Sequence, residues 1–239
     1  MNLAVIIPAL NEAVTVGSVI QDVYQNTLSH TTRIVVADNG SADKTSEISR
    51  RAGAEVVRVA IRGYGLACQK AIQFLDDWPD IILFLDADGS SPASEISCLL
   101  EPLLEGKIDL AIGQRVGYPN MTTVQRWGTW LATRLIHLRW GVNFQDIGPF
   151  RAIQSGAYQK LAMHDRTWGW TVEMQIRAVL KDLRVTEVPV SWLPRKGGVS
   201  KISGTILGVA RAGLKILWTI GRHALRSAPT SSRINSLDA

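Results

Sequence analysis

Two carboxylates one residue apart, Asp86 and Asp88, follow the apolar run Ile81-Ile-Leu-Phe-Leu85. Side chains at i and i+2 of an extended segment share a face, so both can converge on one cation. A hard divalent ion held by one or two carboxylates, with substrate phosphates completing its shell, is the usual Mg²⁺ arrangement. The same acids could instead cap the helix opened by Ser91-Pro92 or sit in a solvated turn. Their place at the end of a buried strand in an alternating fold favours the metal. A second acid, Asp38, closes the run Arg33-Ile-Val-Val-Ala37 and precedes the turn signal Asn39-Gly40-Ser41. It could accept from a base N–H or a ribose hydroxyl, and it could equally hold its own loop as an Asx-turn.

The frame that would position these acids is legible over the first 113 residues, where strand-like and helix-like patterns alternate. The spacing predicts strands at 3–7, 33–37, 55–61, 81–85 and 109–112. Helices are predicted over 13–28, from Ser41 or Asp43 to Gly53, over 65–77 and after Ser91-Pro92. That alternation implies βαβ crossovers, hence an α/β fold with a doubly wound, mainly parallel sheet flanked by helices. In such a sheet the ends of strands one, two and four lie on one edge, so Pro8, Asn11, Glu12, Asp38 and Asp86 would line one crevice. After Gly113 the rhythm changes to helices over 122–140 and 171–182, an irregular stretch 141–151 and an apolar run from Val185 to Trp192. A loop over 193–200, a long helix over 203–225 and a polar tail from Ser227, expected to be disordered, complete the chain. Gly63-Tyr64-Gly65 lacks the third glycine of a dinucleotide fingerprint and follows the third strand rather than the first, so no Rossmann dehydrogenase is implied.

With 46% hydrophobic and 20% charged residues among 239, the chain is globular and not disordered. No uncharged apolar run approaches the roughly 18 residues of a spanning helix. Met1 to Leu10 lacks a basic flank and breaks at Pro8, which does not read as a signal peptide. Cys68 and Cys98 offer neither metal spacing nor a disulfide framework, so a reducing, cytoplasmic setting is expected. Eight basic residues follow residue 189 against the single acid Asp238, while the first 189 residues hold 18 basic and 20 acidic side chains. A basic end on a near-neutral body points to an anionic partner. On the predicted C-terminal helix, Arg211, Lys215, Arg222 and Arg226 fall within a sector of about 60°. Ile202, Ile206, Val209, Ile216 and Ile220 lie near the opposite side. Such a helix fits an anionic membrane surface, a lid over the main domain, or a dimer contact. Arg126, Arg134 and Arg139, interleaved with Trp127, Trp130 and Trp140, suggest a second surface for a lipid headgroup or phosphate, or an ordinary packed helix. No nucleic-acid recognition motif accompanies these charges.

Seven segments together resemble family 2 glycosyltransferases of the GT-A fold, and in particular the dolichyl- or polyprenyl-phosphate mannosyl- and glucosyltransferase branch. They are Val5-Ile-Ile-Pro-Ala-Leu-Asn-Glu12, Val36-Ala-Asp-Asn-Gly-Ser-Ala-Asp43, Phe84-Leu-Asp-Ala-Asp-Gly89, Gly113-Gln-Arg115, Asp146-Ile-Gly-Pro-Phe-Arg151, Trp168-Gly-Trp-Thr-Val-Glu173 and Arg195-Lys-Gly-Gly-Val-Ser-Lys201. The resemblance implies a metal-dependent, inverting transfer of a hexose from a UDP- or GDP-linked donor to polyprenyl phosphate at the cytoplasmic face of a membrane. The resemblance covers about residues 3–201, so a catalytic domain over 1–201 is expected, followed by the amphipathic helix over 202–226 and the disordered tail over 227–239 read from the residues themselves. Carried over by position, Asp86, Asp88 and Ser90 would hold Mg²⁺ or Mn²⁺. Arg115, Arg195 and Lys201 would meet the donor diphosphate, and Pro8, Leu10, Glu12 and Asp38 would line the nucleotide. Leu10 stands where a Tyr is frequent, and Pro149 where Gly or Ser is. Asp146 would serve as base or acceptor-site residue, with Glu173, Arg126 and Arg151 as further acceptor contacts. A phosphate acceptor is already ionised and needs no strong base, whereas a saccharide or other hydroxyl acceptor does. The two rival readings are therefore a family 2 enzyme with a hydroxyl acceptor and a non-catalytic nucleotide-binding module at a membrane.

Overall fold

The computed structural model describes residues 1–116, 121–197 and 206–226, with backbone alone at 206–210 and 226. Strand β1 (Asn2–Ala9) is buried without interruption from Leu3 to Ile7, as a strand covered on both faces must be. Helix α1 (Val16–Asn26) turns Val16, Val19, Ile20 and Val23 onto it, and each such fully buried aliphatic side chain contributes roughly 1.5–3 kcal/mol. There follow β2 (Thr31–Asp38), α2 (Thr45–Arg51), β3 (Glu55–Arg58), α3 (Tyr64–Gln73) and β4 (Ile81–Phe84). A single 3₁₀ turn at Ala93–Glu95 leads into α4 (Ile96–Leu104), then β5 (Leu110–Val116) and α5 (Thr123–Trp140). The predicted start of α5 coincides with a capping box, in which Thr122 Oγ1 accepts from the Gln125 N–H and the Gln125 side chain answers the Thr122 N–H.

The seven strands are ordered β3-β2-β1-β4-β6-β5-β7, with β6 (Arg151–Gln154) and β7 (Val185–Ser191) completing the sheet. All pairs are parallel except those of β6, which runs antiparallel to both β4 and β5. The sequence reading placed no strand there, because Arg151 interrupts an otherwise short apolar run. Arg151 is nevertheless fully buried, and its guanidinium donates to the carbonyls of Gly148 and Thr171. This reversal carries the 144–150 loop to the carboxyl ends of β4 and β5, since Arg151 pairs with both Phe84 and Ile112.

One face of the sheet packs α1 and α4 around Ile20, Leu83 and Leu99. The other packs α3, α5, α6 (Ser155–Leu161), α7 (Trp170–Leu180) and α8 (Ile206–Arg226), with Phe84 and Trp170 in edge contact at 4.7 Å. Helix α8 therefore does not present its whole apolar face outward. Ile220 and Ala212 are buried, and Lys215, expected on a free basic stripe, pairs at 2.9 Å with the buried Asp165. Arg139, expected at a surface, donates to the Ala224 carbonyl of α8, and Trp140 is buried. Side chains left outward include Trp127 and Trp130 on α5 and Leu214, Trp218 and Leu225 on α8. Among the described residues no helix is long and apolar enough to cross a membrane. Ile202, Lys201 and the tail lie outside the described residues, as do the side chains of Ile206, Val209 and Arg226.

Candidate active site

Strands β1, β2 and β4 end side by side, so their following loops share one edge. Asn11, in a left-handed conformation, knits the first two loops together. Its N–H donates to Ser41 Oγ and its side-chain oxygen accepts from the Ala42 N–H. The Glu12 N–H donates to Thr45 Oγ1, and Thr15 Oγ1 donates to the Ala87 carbonyl, which binds this corner to the acidic loop.

Asp38 is buried, with Oδ1 accepting from the Ser41 N–H and Oδ2 from the Ser46 hydroxyl. Burial would raise this carboxyl, but these hydrogen bonds outweigh it and hold it below its usual value. Asp38 thus holds its own loop, through the N–H three residues on rather than the two of an Asx-turn. Pro8 and Leu10 are both partly exposed at the same edge. Asn39 spans to the carbonyls of Val59 and Ile61 and accepts from the Gly63 N–H, fixing the approach to α3.

Asp86 and Asp88 lie close enough to interact electrostatically. Burial first, then the neighbouring Asp88 charge, pushes the Asp86 carboxyl up to about 7. Tyr64 donates its hydroxyl to Asp86 Oδ1 at 3.2 Å. Asp88 Oδ1 accepts from both the N–H and the hydroxyl of Ser90, at 2.9 and 2.6 Å. Ser90, expected as a third ligand, is fully buried and orients Asp88 instead, because the left-handed Gly89 folds the turn back onto the carboxylate. The other oxygen, Oδ2, accepts from Arg195 at 2.7 Å, and the same guanidinium reaches Glu12 at 2.6 Å. Arg195 is set there by main-chain pairing, in which Leu193 N–H donates to the Ser90 carbonyl and Lys196 N–H to that of Asp88.

A divalent ion fits this donor set. Two hard carboxylates stand together, the Asp86 charge is opposed by burial and by its neighbour, and a guanidinium already rests as a positive counter-charge between Asp88 and Glu12. No group of three or more acidic, His or Cys ligands exists among the described residues, so substrate oxygens and water would have to complete the shell.

Across the cleft, Arg115 and Asp146 form a bidentate pair at 2.7 and 2.5 Å, with Asp146 almost wholly buried. Asp146 also accepts from the N–H groups of Arg115 and Ile147, so four N–H donors engage its two oxygens. Arg115 lies over the Trp192 ring at 4.9 Å. Asp146 does not pair with Arg151, which buttresses this loop from below as described. Glu173 lies away from this cluster and accepts from the N–H groups of His164 and Asp165 and from Arg177. Burial would raise the Glu173 carboxyl, but His223, these N–H groups and Arg177 hold it at about 2. Arg126 is exposed on α5, and Lys201 lies outside the described residues. Sequence reasoning missed Tyr64 and Trp192. Tyr64 lies 22 positions from Asp86 and Trp192 is 77 from Arg115, and no local pattern signals either contact.

A model of the family described as Glycosyl transferase family 2 matches residues 4–166. An uncharacterized glycosyltransferase of Mycobacterium tuberculosis is 33% identical over 208 residues, covering 86% of this chain and 92% of its own. A dolichyl-phosphate hexose transferase of Haloferax volcanii is 29% identical over 202 residues, covering 82% and 85%. Among solved structures, glucosyl-3-phosphoglycerate synthase of Mycobacterium tuberculosis, in complex with Mn²⁺, UDP and glucosyl-3-phosphoglycerate, superimposes with a TM-score of 0.76. That match has 21% identity and covers 93% of this chain and 80% of the other.

Proposed function

Because the chain belongs to glycosyl transferase family 2, and is thus a glycosyltransferase built on the GT-A fold, we propose that it moves a hexose from a nucleoside diphosphate donor to a polyprenyl phosphate. The observation that carries the acceptor class is the state of Asp146. This carboxylate, the candidate base, is engaged by four N–H donors, while Glu12 and Asp88 are held by Arg195. A hydroxyl acceptor needs a base to take its proton, whereas a phosphate acceptor attacks as an existing anion. The dolichyl-phosphate hexose transferase relative agrees with that choice.

In this reading Asp86 and Asp88 hold Mg²⁺ or Mn²⁺, which when bound supplies Lewis-acid stabilisation of charge on the departing diphosphate. The Mn²⁺ in the M. tuberculosis synthase complex accords with this. Tyr64 and Ser90 fix the two carboxylates. Arg195 exchanges its carboxylate contacts for the donor's diphosphate oxygens, bringing preorganised positive charge to where negative charge develops. Arg115, stacked on Trp192 and locked by Asp146, adds a second rigid cation, and Lys201, by its place in the sequence, would add a further positive charge. Pro8, Leu10, Glu12 and Asp38 border the nucleoside, with Asp38 shaping its loop through Ser41 and Ser46. The outward surface of α5 and α8, with Trp127, Trp130, Trp218, Leu214 and Leu225 beside Arg126, Arg134 and Arg211, supports peripheral contact with an anionic membrane that carries the acceptor.

The test supplies purified protein with radiolabelled UDP- and GDP-hexoses, Mn²⁺ and either polyprenyl phosphate or soluble saccharides. Label entering the organic phase only with polyprenyl phosphate is the expected result. Label appearing in a saccharide product instead would overturn the acceptor assignment.

A further inference from the structure

Well away from the acidic cleft, the C-terminal ends of α7 and α8 enclose a cavity of about 200 Å³ lined by His164, Arg177, Leu180, Lys181, Arg222 and His223. Helix α7 begins at Trp170, against Phe84 of β4, and Arg177 lies seven residues further on, roughly 10 Å along the helix axis. The cavity thus lies beyond the Trp170 end of α7, and none of its lining residues is among those gathered around Asp86 and Asp88. Five of its six lining residues are cationic or protonatable. Arg177 is held in place by Glu173 at 2.8 Å and by the Leu161 carbonyl at 2.9 Å. Arg222 lies over the Trp218 ring at 5.2 Å, and the His223 ring is 3.6 Å from Glu173. Neither Lys181 nor Arg222 has a carboxylate within ion-pair distance among the described residues. Arg177 and Arg222, each held by a neighbour, and the exposed Lys181 thus meet one carboxylate, Glu173, which leaves two positive charges gathered around a small concavity. A compact anion with close to two charges and several acceptor oxygens balances that set, and Arg side chains already held in place favour its geometry.

We propose that this cavity is a second anion site that binds a phosphomonoester dianion, separate from the donor and acceptor phosphates of transfer. The ligand is either a soluble phosphate ester or a phosphomonoester headgroup at the membrane surface, which the outward face of α8 would adjoin. The inference does not depend on the acceptor assignment.

Inorganic phosphate titrated calorimetrically into the full chain, without divalent metal and at constant ionic strength set with chloride, is expected to bind saturably. The double variant Lys181→Gln, Arg222→Gln is expected to weaken that binding at least tenfold, with Mn²⁺-dependent binding of the nucleotide sugar unchanged as the control for folding and for the transferase site. A parallel arm measures retention on phosphatidylcholine vesicles with and without phosphatidate. Phosphatidate-dependent retention lost in the double variant identifies a headgroup, and phosphate binding without such retention identifies a soluble ester. Absence of saturable phosphate binding, or binding that survives the double variant and is lost in Arg195→Ala, would overturn the proposal.

Discussion

Nη1 of Arg195 lies 2.7 Å from Oδ2 of Asp88, so a cation from the last part of the chain already rests against the second acid of the pair after β4. The contact joins residues 107 positions apart and reaches Glu12 through the same guanidinium. In the proposed reading, Asp88→Ala would remove one metal donor, and it leaves Arg195 with half of its bridge. Hexose transfer is expected to fall about 10²–10³-fold, comparable to loss of a key electrostatic group elsewhere. Radiolabel transfer at saturating donor measures it, and an unchanged rate would refute the role given to Asp88.

The raised Asp86 carboxyl makes both metal binding and stability depend on pH. Below about 7 the carboxyl is protonated in the folded chain, so a divalent ion must displace a proton. Mn²⁺ affinity is expected to rise about tenfold per pH unit up to that value and then level off. Without metal the sign for stability is the reverse of a salt-bridged acid. A folded-state value above the unfolded one means that stability is fully present below pH ~4 and is lost as pH climbs toward 7. The displacement from 3.8 to about 7 sets a ceiling of ~4 kcal/mol, which partial exposure of Asp86 lowers. Asp86→Asn is expected to abolish this pH dependence in urea unfolding of the metal-free protein. A metal titration that is flat from pH 5 to 8 would contradict it.

Asp146 is buried and Arg115 mostly shielded, so removing one partner strands the other. Asp146→Ala is expected to cost about 3–5 kcal/mol in denaturant unfolding, because the Arg115 charge is left uncompensated. Asp146→Asn keeps the shape and separates positioning from base catalysis. Residual activity with an unshifted acidic limb in its pH–rate profile is expected, whereas disappearance of that limb would identify Asp146 as the base.

Gly65 opens the first turn of α3 against the 165–170 segment. A Cβ there would press on the Asp165 carbonyl oxygen and lie 2.9 Å from the Trp170 side chain, neither of which can yield cheaply. Gly65→Ala is expected to destabilise the fold by about 1–3 kcal/mol. It is also expected to weaken metal affinity, since Tyr64 next to it donates to Asp86. Thermal unfolding combined with Mn²⁺ titration reads both effects, and a variant that loses neither would dissociate α3 from the site.

Periodicity located β1, β2, β4 and the helices between them, because buried parallel strands and amphipathic helices write their environment into adjacent residues. The same local logic put Asp38, Asp86 and Asp88 at strand ends. It also placed the start of α5 at 122, where the structure shows a capping box between residues three apart. Strand β6 escaped because a buried arginine, satisfied by carbonyls of Gly148 and Thr171, looks polar in sequence. Ser90, two residues from Asp88, is expected as a ligand by resemblance, although the short-range pattern also allows the turn in which it serves Asp88.

Sequence alone therefore determined the alternating fold, the acidic pair and the basic C-terminal bias, all properties of neighbouring residues. Tertiary structure alone decided that Arg195 bridges Glu12 and Asp88, that Arg115 locks Asp146, and that Lys215 turns inward to Asp165. Each of those is an electrostatic choice among several possible partners. Only the packing of distant segments, which fixes distance and removes water, can make it.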